Sequence, residues 1–173
     1  TEINIIEYIK NLKNDQNHVA VFVGNGYDWH GLDRIITLFK DVNSVELIVV
    51  GPYEKNSTLS NIHFLGKVTI ETLKESYKYV DFGVGPFAWD RINISEGCPL
   101  KTREYLFHGL PILVNYMDWA IEDEGLRPYV FNLKSEPKSF ENLLKLSSSK
   151  QDISVNARRA FDWKVCFVDT VFN

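Results

Sequence analysis

Two continuous apolar stretches, "HVAVFVG" at 18–24 and "VELIVVGP" at 45–52, each run into a glycine and are separated by a single amphipathic segment. A strand apolar on both faces needs cover on both sides, as a parallel strand under helices has. Between the two runs, "HGLDRIITLFKDV" (30–42) sets Leu32, Ile35, Ile36 and Phe39 at i, i+3, i+4 and i+7, which is one face of a helix. The alternation continues. Further strands are expected at 61–68, 81–87, 110–116 and 129–134, and further helices at 69–80, 99–109, 135–148 and 154–172. Thr69 is the expected N-cap of its helix, and Pro99 and Gly109 bracket theirs as first position and stop. A helix over 1–14 opens the chain, with Ile3, Ile6 and Ile9 or Tyr8 facing inward. Together these segments predict an α/β, Rossmann-like, doubly wound parallel sheet of about six strands with helices on both faces. In such a sheet ligands bind beyond the carboxyl ends of the strands, where the strand order reverses.

Charge and composition narrow the partners. A net charge of −4 gives no basic footprint for nucleic acid. No apolar run approaches the ~20 residues that span a bilayer. The two cysteines, Cys98 and Cys166, are far apart and form no metal-ligand pattern. The acidic turn "IEDEG" (121–125) lacks an Asp-x-Asp element or a histidine cluster, so no metal is expected. The chain opens on Thr1 rather than Met, as a piece of a longer protein would.

Four stretches are expected to meet at the strand ends, among them "GPYEKN" (51–56), where Gly51-Pro52 ends the second strand. "GNGYDWHG" (24–31) brings Gly24, Asn25, Gly26 and His30 to the first turn, where backbone amides can approach a ligand. Its glycine spacing fits neither the dinucleotide fingerprint nor the P-loop. Gly66, Lys67 and Val68 follow the third strand. "SEGCPLKTREYLFHGLPILV" (95–114) places Glu96 before a helix, Gly97, Cys98, Pro99 and Leu100 at its entry, Lys101 in its first turn and Glu104 about one turn further on. A helix entry with a lysine attracts an anion. Carboxylates on either side can each accept hydrogen bonds from hydroxyls. A phosphate flanked by polyhydroxyl groups describes a nucleotide sugar. Trp29 and Trp89 fit either packing or ligand stacking. Arg103 reads as a solvated helix charge, and Cys98 as a small residue filling a glycine-like position.

These motifs resemble, in order and spacing, the retaining glycosyltransferases of the GT-B fold that belong to the glycosyl transferases group 1 family, including those that build bacterial capsular and surface polysaccharides. The resemblance runs from about residue 18 to 173 and rests on the pair Glu96 and Glu104, "GLDRII", "LIVVGP", "NIHFLGKV", "PLKTREYLFHGLPILV" and the closing "ARRAFDWKVCFVDTVF". It implies the C-terminal, donor-binding half of such an enzyme over 18–173. Residues 1–17 would be a helix or linker from an absent acceptor half, and this piece alone would be inactive. It implies that Glu104 holds ribose hydroxyls and Glu96 donor-sugar hydroxyls. The amides of Gly97 to Leu100, with Lys101, would hold the diphosphate, and Gly66 to Val68 would lie along the base. Asn25 and His30 stand where the family commonly has an arginine and a lysine. The implied partners are a nucleotide-diphosphate sugar and a saccharide or lipid-linked acceptor, with no cofactor and no metal. The implied location is cytoplasmic, or peripheral at the inner face of the membrane. The sheet by itself also fits a non-catalytic nucleotide-binding or regulatory module, or half of a nucleotide-sugar epimerase.

Overall fold

The computed structural model describes residues 4–14, 16–54 and 58–161. Among the described residues there are eight strands: β1 (His18–Val23), β2 (Val45–Val50), β3 (Ile62–Gly66), β4 (Phe82–Val84), β5 (Glu96–Gly97), β6 (Ile112–Val114), β7 (Met117–Asp118) and β8 (Val130–Asn132). The six helices are α1 (Ile5–Leu12), α2 (Leu32–Phe39), α3 (Ile70–Ser76), α4 (Leu100–Phe107), α5 (Ser139–Leu144) and α6 (Lys150–Phe161). Six strands form one parallel sheet in the order β3-β2-β1-β4-β6-β8, while β5 and β7 pair separately as a two-residue ribbon. Without that ribbon the order is the 3-2-1-4-5-6 of a doubly wound sheet, and its direction reverses between β1 and β4.

Every strand of this sheet is parallel to its neighbour. Alternate residues of β1 therefore feed two cores. Val19 and Val21 face the side covered by Ile9 of α1, Tyr105 and Leu106 of α4, and Ile153 and Ala157 of α6. Ala20 and Phe22 face Ile35 and Phe39 of α2 and Leu143 of α5. The doubly apolar run at 18–24 exists because each face has its own helical layer.

Several boundaries differ from the sequence reading. The later strands are three residues long, since β4 and β6 stop where Gly85 and Asn115 turn into loops. Helix α4 begins at Leu100, with Pro99 in extended backbone as its N-cap. Thr69 caps α3 as expected, its hydroxyl accepting from the Thr72 amide at 3.2 Å. In α1 the inward residues are Ile9, fully buried, with Ile5 and Leu12 beside it. Ile6 is only half-buried, and Ile3 lies outside the described residues. The closing helix is described to Phe161, so Trp163 and Cys166 also fall outside.

Helix α4 is fixed against the sheet by Tyr105. Its ring packs on Gly83 of β4, where an added Cβ would stand 2.2 Å from the ring, and its hydroxyl accepts from the Val23 amide of β1 at 3.0 Å. Gly83→Ala is therefore expected to lower stability by about 1–3 kcal/mol, the cost of overpacking a filled core. Urea unfolding checks this, and an unchanged midpoint would contradict the contact.

Candidate nucleotide-sugar site at the sheet switch point

The strand order reverses between β1 and β4, and Lys101 in the first turn of α4 lies beside Phe22 near the carboxyl end of β1. The helix entry has no side-chain cap. Pro99 has no N–H, so the free amides are those of Leu100, Lys101 and Thr102 in the first turn, rather than a set running from Gly97 through Pro99. Leu100 is 86% exposed, so only its backbone can serve a ligand at this entry.

Lys101 is the main charge here. Its Nζ is buried and has no hydrogen-bond partner, and it stands 4.7 Å from the centre of the Phe22 ring at the end of β1. Burial pulls its pKa down to about 7. A buried ammonium with no carboxylate is costly, and an anion beside it would remove that cost. Glu104, on the same helix, has a buried Oε1 that is also without a partner. It lies close enough to the Tyr77 and Tyr105 hydroxyls to add to the rise in their pKa, which burial dominates.

The first loop meets this point from the α2 side. His30 is 3% exposed, and its Nδ1 is 3.2 Å from the Tyr53 hydroxyl. Burial first, and the nearby Lys101 second, lower its pKa to about 4, so the ring is neutral at pH 7. Gly24 makes this contact possible: a Cβ there would fall 2.0 Å from Tyr53 Oη and 2.9 Å from His30 Nδ1. Asn25 and Gly26 are exposed. The loop is held by two arginines. Arg34 binds Asp90 through two bonds of 2.6 and 2.8 Å, and Arg91 reaches Asp28 at 2.9 Å and Asp33 at 2.6 Å. Trp29 packs edge-on to His30 with ring centres 4.1 Å apart, while Tyr27, 56% exposed, stacks on Trp29.

The third stretch joins through the backbone: the Gly51 amide donates to the Gly66 carbonyl at 2.9 Å. Gly66 has φ of 69° and open space where a side chain would start, so its backbone conformation already demands glycine. Val68 packs against the core and Lys67 is exposed. Glu96 stands apart from these. It is exposed on β5, bordering a hollow of about 300 Å³ with Ser95, Met117, Asn132, Lys134 and Ser135. Gly97 separates it from the helix entry and lies against the Trp89 ring. Trp89 itself is buried and packed on Tyr116 at 4.1 Å, a structural role.

Two sequence readings are corrected. Arg103 is 7% exposed rather than solvated. It pairs with the buried Asp118, whose carboxylate also accepts from Thr102, Tyr116 and the Ala120 amide, and it lies over the Phe161 ring. Cys98 is exposed and fills no packed position. Phe22 and Tyr77 are not picked out by the sequence, and Tyr53 falls in the 51–56 stretch without being singled out. Tyr53 follows the Gly-Pro at the end of β2, and an aromatic at a strand end is the one signal that marks it. Among the described residues, no group of three or more His, Cys, Asp or Glu is arranged to hold a metal ion. No described helix is long and apolar enough to cross a membrane.

A doubly wound parallel sheet with helices on both faces and a buried, unpartnered lysine at the start of α4 defines a Rossmann-like α/β domain. The glycosyl transferases group 1 family matches residues 17–147, and the chain belongs to that family. Among solved structures it resembles WaaG, a glycosyltransferase involved in lipopolysaccharide biosynthesis, at 19% identity over 96% of this chain and 46% of that one, with a TM-score of 0.56. It also resembles sucrose-phosphate synthase from Thermosynechococcus elongatus, at 14% identity over 96% of this chain and 47% of that one, with a TM-score of 0.58. At these identities the likeness is one of fold. The chain spans about half the length of these structures. No curated protein matches it.

Proposed function

We propose that this domain binds the donor of a retaining glycosyltransferase, a nucleotide-diphosphate sugar, for transfer to a hydroxyl of a saccharide or lipid-linked acceptor in polysaccharide synthesis. The observation that carries this reading is the buried, unpartnered Lys101 ammonium at the start of α4, with the unpartnered Glu104 carboxylate oxygen on the same helix. The diphosphate lies against the amides of Leu100 to Thr102 and Lys101. The ribose hydroxyls donate to Glu104, and the base extends toward Gly66 to Val68. The donor sugar lies toward Gly97 and Glu96.

In transfer, the bond from the sugar's anomeric carbon to the diphosphate oxygen breaks, and the acceptor oxygen takes its place while its proton passes to the departing diphosphate. Negative charge grows on the leaving diphosphate. Fixed amide dipoles and the Lys101 ammonium meet that charge without reorganising, which is where the rate gain arises. His30 adds a neutral donor where family members commonly carry a lysine, so Lys101 supplies the cation. Because the free ammonium has a pKa near 7, the bound anion raises it, and binding takes up a proton above that pH.

A panel of nucleotide sugars read by thermal shift tests the donor class. Shift mapping with uridine and guanosine diphosphates tests its place. Perturbations from Gly97 to Glu104 are expected, at millimolar to high micromolar affinity, or about −4 to −6 kcal/mol. No perturbation there at saturating ligand would reject the reading. The 173-residue chain alone is expected to transfer no sugar, because it spans about half the length of the structures it resembles and transfer needs an acceptor hydroxyl positioned beside the donor. Efficient transfer to a defined acceptor by this chain would contradict that.

A further inference from the structure

We propose that Tyr53 is a positioning residue: it holds His30 in the tautomer that carries its proton on Nε2, so that a neutral imidazole donates to the diphosphate beside Lys101. This rests on the reading above. The Tyr53 oxygen lies 3.2 Å from His30 Nδ1. A phenol is the stronger donor of the two and a neutral imidazole nitrogen the stronger acceptor, so the Tyr53 hydroxyl donates to Nδ1. The ring's own proton then sits on Nε2.

The geometry leaves the ring little freedom. Trp29 lies edge-on at 4.1 Å, Phe22 at 6.0 Å and Tyr27 at 6.0 Å between ring centres. The His30 carbonyl accepts from the Phe87 amide at 2.9 Å, which ties the backbone of this turn to the segment after β4. Tyr53 is anchored as well, its amide donating to the Gly51 carbonyl at 2.8 Å. Among the described residues Nε2 makes no hydrogen bond, and the residue is 3% exposed. That nitrogen is the one free to meet a ligand. Because His30 stays neutral at pH 7, the tautomer and not the charge decides whether it donates to an anion or repels it with a lone pair. A lone pair facing a phosphate oxygen would oppose binding, so fixing the proton on Nε2 has a direct consequence for affinity.

Long-range proton–nitrogen correlation spectra of the chain at pH 7 identify which ring nitrogen of His30 carries the proton, with no ligand needed. The expected state is Nε2–H. Inorganic pyrophosphate, a probe that is independent of the base, is then titrated against the wild type, Tyr53→Phe, His30→Ala and the double variant. Tyr53→Phe is expected to shift the tautomer population toward Nδ1–H and to weaken pyrophosphate binding about two- to tenfold, the worth of one neutral hydrogen bond. In the His30→Ala background the same change is expected to cost nothing further, because its effect acts through His30. An Nδ1–H tautomer in the wild type would overturn the proposal even if the variants failed to fold. So would a Tyr53→Phe chain that keeps both tautomer and affinity while Lys101→Met loses binding; that result leaves the anion site standing. Failure of the wild type to bind pyrophosphate would remove the anion site and with it the role of His30.

Discussion

Replacing Lys101 by Met is expected to remove detectable nucleotide diphosphate binding and, at pH 7 and below, to make the free chain more stable. The two effects have one cause. The ammonium is buried over Phe22 without a partner, so in the free chain it is a cost, and on the proposed function it is the main attraction for a diphosphate. Truncating one member of a buried charge pair costs about 2–5 kcal/mol, roughly thirty- to several-thousandfold in affinity. Met keeps the length and the contact with the ring, so packing is preserved. The stability effect has a definite sign with pH. Burial lowers the lysine pKa from 10.5 to about 7 in the folded chain. Between those values the unfolded chain binds more protons than the folded one, so wild-type stability rises with pH across that window. Below about pH 7 the charging cost is present in full, and above the unfolded value it has vanished. Lys101→Met is therefore expected to melt higher than wild type at pH 6, with the difference shrinking as pH rises toward 10.5. Melting curves at several pH values check this, and a variant less stable at pH 6 would contradict it.

The second large effect separates the two glutamates. Glu104→Gln is expected to weaken a nucleotide diphosphate and the matched nucleotide sugar alike, by about 1.5–3 kcal/mol, roughly ten- to a hundredfold, since it removes a charged acceptor from ribose hydroxyls. Glu96→Gln is expected to leave the nucleotide diphosphate almost unaffected and to weaken only the sugar-bearing donor. The structure makes the contrast sharper than the sequence did. Glu104 is enclosed beside Tyr77 and Tyr105, whereas Glu96 is exposed on β5 at the edge of the Asn132–Lys134 hollow. Titrations of both variants with both ligands decide it. Equal losses for both ligands in both variants would reject separate roles.

Much of the fold was legible because its signals are local. The runs that became β1 and β2 are apolar on both faces, and only a strand between two helical layers needs that. Thr69 acts as a cap through its own neighbour Thr72. The short strands β4, β6 and β8 were overextended, because Gly85-Pro86 and Asn115 read as strand ends only when the loops they lead into are known. Of the candidate site, the shared helix of Lys101 and Glu104 was legible, and α4 carries both. Less was legible where partners come from afar. Arg103 looked solvated because the residue that neutralises it, Asp118, arrives through β7, a ribbon too short to show in any pattern. Tyr53 lies in the 51–56 stretch expected at the strand ends, but its pairing with His30, 23 residues away in sequence, leaves no local signal.

The most direct test of the central claim follows Lys101 itself. Its side chain, labelled at the carbon next to Nζ, can be titrated by NMR in the chain alone and in the presence of saturating uridine or guanosine diphosphate. Alone, it is expected to titrate near 7. With the diphosphate bound it is expected to remain charged well above that pH, with calorimetry showing proton uptake on binding at pH 8. A Lys101 titration that neither nucleotide moves, at concentrations that saturate the chain, would contradict a diphosphate at the start of α4.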